Sequence, residues 1–277
     1  MTMHKRSRAD GYGNNTPMQL GLRLWLGAEI FFAFVASLAT FFTPTDAATN
    51  FAWPIPVTVM AATLGVFYFS SLPVTIWSVM QKRWQEVRIL AIPLGVFAFF
   101  MTLMTFMHWD KFSKGTAPFY VWMVSYIVPP IIFPYFFYTH QRQSAPVGTE
   151  LEAPMPKSTV KLLWVNGIFL TLAALAIFIL PNLLVDHAPF KLTPLTARTL
   201  SNMVLAAGVV QCWMAYEADW KRVKLAVLLL VLVPIGFCVQ LGRFSGQVDW
   251  SNIPMWVLLG DSTVVGVWLA YGWFRGR

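Results

Sequence analysis

Eight long, almost uninterrupted apolar runs govern what this chain can fold into. They lie at about 20–42, 57–80, 89–107, 119–139, 160–181, 199–216, 223–241 and 253–274. A helix needs about 20 apolar residues to cross a hydrocarbon core of roughly 30 Å. Backbone polar groups in lipid must bond internally, so runs of this length read as helices. A transmembrane barrel would show short alternating segments, which these runs lack. The sequence therefore specifies an all-α integral membrane protein of about eight transmembrane helices.

Composition agrees. Apolar residues make up 57% and charged residues 12%, against about 25% charged in soluble domains. The net charge of +8 does not mark a nucleic-acid binder, because the basic residues sit between the apolar runs rather than on one polar face. The expected partner is the lipid bilayer, joined by other membrane subunits in the alternative reading below. Cys212 and Cys238 fall near opposite ends of neighbouring runs, and no disulfide is expected between them.

Lysine and arginine set the expected orientation. With eight spans, fifteen of the twenty lie on the side of the termini; Lys111, Lys114, Lys191, Arg198 and Arg243 lie opposite. Short loops obey the positive-inside rule, so both termini are expected in the cytoplasm, in a plasma (inner) membrane. Residues 1–18 are polar and read as a cytoplasmic tail, not a cleavable signal. The segment 141–159 is rich in Pro, Ser, Thr and Glu and reads as a flexible linker. It divides residues 19–140 from residues 160–277, each with four spans.

The two parts echo each other. Trp84, Val87, Arg88 and Ile89 match Trp220, Val223, Lys224 and Leu225. Phe112-Ser113 matches Phe244-Ser245, Trp122 matches Trp256, and Leu24-Trp25 matches Leu163-Trp164. Four matches in order predict two tandem repeats, parallel because each has an even number of spans and related by an axis along the membrane normal. Tyr126-Ile127-Val128-Pro129-Pro130 predicts a break in the fourth run, since each proline removes a donor and clashes one turn back. In this register the break falls opposite Thr263-Val264.

Polar groups within the runs are the first functional suspects, because lipid makes them costly. Glu29 and Asp261 are the two acids placed within hydrocarbon. Asp261 sits roughly 10 Å below the outer boundary at 1.5 Å per residue. Arg198 and Asn202, four apart, share a helix face near that boundary, and Gln240 ends the seventh run on the same side. Arg198, Asn202, Gln240 and Asp261 are thus expected to form an outer pocket, with Glu29 as a second candidate binding group. The plainer account of all five is hydrogen bonding between helices, about 1 kcal/mol or less apiece.

The four histidines, His4, His108, His140 and His187, all fall outside the middle of the runs, with no metal-ligand spacing. Two four-helix halves are similar in plan to haem A synthase. That family ligates haem through histidines within its helices, and none stands at mid-depth here, so the resemblance ends at architecture. No cofactor, metal site or catalytic residue is read from the sequence: G-x-S-x-G, H-E-x-x-H and phosphate-loop motifs are all missing. Trp25, Trp53, Trp84, Trp109, Trp164, Trp220, Trp250 and Trp273 stand at run ends as an aromatic belt. Trp122, Trp213, Trp256 and Trp268 lie deeper. Three functions survive: a carrier for a small solute or lipid-like molecule with its site between the repeats, a non-catalytic subunit or scaffold of a larger membrane complex, and a lipid-active enzyme.

Overall fold

Each apolar run is a helix, and most ends fall within three residues of the expected bounds. The computed structural model describes residues 16–144 and 151–276, which are helical apart from turns, loops and isolated backbone bridges. The elements are α1 (Leu20–Ser37), α2 (Ala47–Asn50), α3 (Thr58–Met80), α4 (Arg88–Met107), α5 (Ala117–Ile127), α6 (Pro129–Gln141), α7 (Lys157–Ile179), α8 (Asn182–Val185), α9 (Pro194–Glu217), α10 (Trp220–Arg243) and α11 (Ile253–Arg275). Seven helical stretches are long and apolar enough to cross a membrane, α1 with its extension to Phe42 and α5 with α6 each counting as one.

The remaining long helix, α9, has 24 residues but is too polar to meet that measure. Its position explains its composition. It packs along α7 on one side and α4 on another, with Thr196, Thr199, Ser201, Asn202, Gln211 and Glu217 all buried. A helix shielded from lipid by other helices need not be apolar all round. It begins at Pro194 rather than 199 because Thr193 and Thr196 form a reciprocal capping box ahead of the apolar stretch.

The first and last described residues lie at one end of the bundle. Pro17 bridges Arg83, with Trp84 N donating to Thr16 O at 2.8 Å and Met18 N to Lys82 O at 3.0 Å. Pro154 bridges Asp219, with Trp220 N donating to Ala153 O and Met155 N to Ala218 O, each at 2.8 Å. The indole of Trp220 lies against Gly272 and Gly276 near the C-terminus. The last residues of the expected loose tail are therefore tied down. So are 151–156 of the expected flexible linker, where the Asp219 carboxylate accepts from Glu152 N and Ala153 N at 2.6 and 3.0 Å. Residues 1–15 and 145–150, the rest of the tail and of the linker, lie outside the described residues.

The helices from the two parts of the chain interlock: α4 lies along α9, and α3 along α10. Where α7 meets α9 the approach is close, since a methyl at Gly208 would stand 2.6 Å from Thr171 Oγ1 and 2.8 Å from Gly167 O. Small residues that let backbones touch are the usual helix contact in membranes. The expected proline break is mild: the helix is interrupted at Val128, whose backbone stays helical. Pro130 cannot donate to Tyr126 O, and Thr102 Oγ1 does so instead at 2.5 Å.

Candidate functional site

α1 ends in a π-helical turn, Leu38–Phe42, seated on Gly65, where a methyl would come within 2.4 Å of Phe41 N. Carbonyls loosened by such a turn need donors. Gln240 Nε2 and Arg243 Nη1 both donate to Phe41 O, at 3.0 and 2.9 Å, and Arg243 Nη2 to Phe42 O at 3.1 Å. Gln240 is thus committed to the end of α1. Arg198 is committed elsewhere: its Nε donates to Phe178 O at 2.9 Å, and Nη1 to His108 Nε2 at 2.8 Å. Asn202 is enclosed, and its side-chain amide makes no hydrogen bond with the described residues. The expected outer pocket of Arg198, Asn202, Gln240 and Asp261 is therefore not assembled. Similar depth along four helices does not fix which way each side chain faces around its helix.

Asp261 belongs to a different group. Asn166 Nδ2 on α7 donates both to Asp261 Oδ2 on α11, at 3.2 Å, and to Gln211 Oε1 on α9, at 3.0 Å. Asp261 and Gln211 line a cavity of about 470 Å³, and Glu29 on α1 lines the same cavity. The two acids flagged in the sequence thus share one space, although they lie 232 positions apart. The Glu29 carboxyl lies near the Trp25 indole, and its oxygen Oε1 is buried with no close hydrogen-bond partner among the described residues.

The cavity is walled by α1, α3, α4, α5 and α6 from the first part of the chain and by α7, α9, α10 and α11 from the second. Its wall is largely apolar and aromatic, with Tyr68, Phe97, Trp122 and Tyr126 among its members. Tyr68 and Tyr126 join through their hydroxyls at 3.0 Å, and Trp122 Nε1 donates to Thr105 Oγ1 at 2.9 Å. Away from the chain termini the cavity reaches loop residues Phe51, His187 and Phe190. A volume of this order suits a compact small molecule, and a mostly apolar wall with a few convergent polar groups is the usual form of such a site. Of the deeper tryptophans, Trp122 lines the cavity, whereas Trp256 and Trp268 face outward.

At the end holding the termini, a charged lattice closes the bundle. Arg88 on α4 grips Glu217 at the end of α9 through Nε–Oε1 and Nη2–Oε2, both 2.5 Å, with neither side chain exposed. Arg222 stands 3.6 Å from the same carboxylate. Lys224 bonds Gln81 Oε1 at 2.8 Å and pairs with Glu86 at 3.4 Å, while Arg83 and Lys221 share Glu152. Hydrogen bonding to Glu86 is the main cause holding the Arg83 guanidinium above its ordinary pKa. Sequence reading placed these charges at this end and missed the lattice, because its pairs join residues up to 143 positions apart.

His140 is fully buried and stacked on Trp84, ring centres 4.5 Å apart, and its Nε2 accepts from Gln19 N. It stabilises the first bridge and is no candidate ligand. Among the described residues no group of three or more His, Cys, Asp or Glu side chains is placed to hold a metal ion. Cys212 and Cys238 are both free thiols.

Seven apolar spanning helices define a polytopic helical membrane protein. Comparison of the chain with protein-family models, with curated proteins and with solved structures returned no match.

Proposed function

We propose that this protein is a carrier for a small solute or lipid-like molecule, built from two tandem parallel four-helix repeats with the binding site between them. The observation that carries the reading is the shared cavity. Two carboxyl groups that are costly to place in a membrane interior, Glu29 and Asp261, come from the first and last long helices and line one space. In this reading eight helices cross the membrane, α9 as an interior one. Both termini face the cytoplasm of an inner membrane, in keeping with the basic residues at that end.

Support for the repeat comes from matching details at nearly constant spacing. The bridge Pro17–Arg83 corresponds to Pro154–Asp219, and cap Thr116 to cap Asn252. Buried Leu22, Leu26, Ala33, Ser37 and Phe41 on the first span correspond, 137 residues on, to Thr159, Leu163, Leu170, Ala174 and Phe178. From α3 onward the spacing is 136, so Arg88–Glu217 and Lys224–Gln81 become two copies of one contact across the axis. This spacing sets Pro129 opposite Val265, not Thr263, and aligns Leu26, not Leu24, with Leu163.

The same register pairs the polar groups. Glu29, Thr75 and Ser125 take the places of Asn166, Gln211 and Asp261, and five of these six line the cavity. Each repeat thus contributes one acid and two neutral groups, the acid on a different helix in each. Sites near the midplane at a repeat interface are the common plan of secondary carriers.

A second reading, a non-catalytic subunit, draws on the commitment of Arg198, Gln240 and Arg243 to backbone carbonyls, which is structural work. Oriented vesicles separate the two. Single cysteines at positions 29 and 261, with Cys212 and Cys238 replaced by serine, are exposed to an impermeant maleimide in right-side-out and in inverted vesicles. A carrier exposes its site alternately, so reaction from both sides is expected. Reaction from one side only contradicts a carrier and leaves the subunit reading standing.

A further inference from the structure

The charge on a cavity wall decides what the cavity holds, because a buried ion needs a counter-ion close by. This chain carries twenty Lys and Arg against twelve Asp and Glu. The cavity reverses that balance: among the described residues its wall has two carboxyl groups, Glu29 and Asp261, and neither Lys nor Arg. His187 supplies the one imidazole, at the loop end. Arg198 on α9 and Arg243 on α10, two helices that also wall the cavity, are committed to the carbonyls of Phe178, Phe41 and Phe42.

We infer that the cavity binds a lipophilic cation: an amine or quaternary onium centre on a compact apolar body. The inference rests on reading the cavity as a ligand site and adds the class of ligand. The apolar wall desolvates the body, and the faces of Phe97, Tyr68, Trp122 and Tyr126 attract a cation through their ring quadrupoles. An anionic amphiphile would meet two carboxyl groups and neither Lys nor Arg, with His187 only at the loop end. A neutral one would leave the acids unused. The carboxyls are not equivalent. Asp261 Oδ2 already accepts from Asn166, whereas Glu29 Oε1 is buried without a close hydrogen-bond partner among the described residues. Glu29 is therefore the main counter-ion, and Asp261 the second.

The test compares two ions of one shape and opposite charge. The full chain in lipid nanodiscs is equilibrated with radiolabelled tetraphenylphosphonium or with tetraphenylborate, and binding to empty discs is subtracted. Saturable binding of the phosphonium is expected, with the borate excluded. Glu29→Gln is expected to weaken binding at least about tenfold, about 1.4 kcal/mol, and Asp261→Asn by less. Glu29→Asp keeps the charge and is expected to keep most of the binding, which separates lost charge from lost fold; size-exclusion profiles report the fold independently. Equal binding of both ions, or phosphonium binding unchanged in both neutral variants, overturns the cation inference and leaves the cavity a ligand site. Binding of neither ion overturns the inference and the ligand-site reading together.

Discussion

Arg88 and Glu217 show what a single contact does in this molecule. Two fully buried opposite charges meet through two parallel hydrogen bonds, at the join between the fourth and ninth helices. Removing one partner of such a pair strands the other in a low dielectric, which costs about 3–5 kcal/mol. Glu217→Ala is expected to lower stability by that order in detergent-based chemical unfolding, and Arg88→Met with Glu217→Met to recover much of the loss. His108 gives a pH-dependent counterpart. Burial, and then the neighbouring Arg198 charge, hold its imidazole below the ordinary 6.5. The unfolded chain therefore takes up the proton first as pH falls. The contribution of His108 is present in full above about pH 6.5 and is lost as pH drops toward the folded value. His108→Gln is expected to flatten the fall in melting temperature between pH 7 and pH 5. The sequence exposed Glu29 and Asp261 because an acid in an apolar run is conspicuous. It concealed the Arg88–Glu217 pair, because each residue alone resembles an ordinary charge at a helix end.

At the scale of elements, hydropathy located the helices well and misjudged the start of one interior helix, α9. The stretch 194–198, Pro-Leu-Thr-Ala-Arg, looks like loop, yet Thr193 caps it and helical packing encloses it. Helix facing was the harder quantity: Arg198 and Gln240 bond to carbonyls of other helices, and nothing local to either residue announces that. Close packing of α7 on α9 offers a direct check. Gly208→Val would drive side-chain atoms into the backbone of Thr171 and Gly167, whereas a methyl at Gly260 meets nothing within 4 Å. Overpacking of this kind costs about 1–3 kcal/mol. A clear drop in melting temperature is expected for Gly208→Val, and almost none for Gly260→Ala. The π-helical end of α1 depends in the same way on donors from α10. Arg243→Leu is expected to lower the melting temperature more than Lys111→Leu, since Lys111 pairs with the exposed neighbour Asp110.

At the scale of the molecule, the helical, membrane-spanning architecture was legible because long apolar runs recur along the chain. The cavity was not legible, since it exists only where helices from both parts of the chain are packed together. The account stands or falls on Glu29 and Asp261 lining one cavity while Asn202 and Gln240 lie sealed in helix contacts. The most direct measurement is a cysteine scan of positions 29, 202, 240 and 261 in membranes, in a background lacking Cys212 and Cys238, probed with a water-soluble thiol reagent. Labelling is expected at 29 and 261, blocked at both by tetraphenylphosphonium, with 202 and 240 unreactive. Labelling of 202 and 240 with 29 and 261 protected, or no labelling at all, would contradict it.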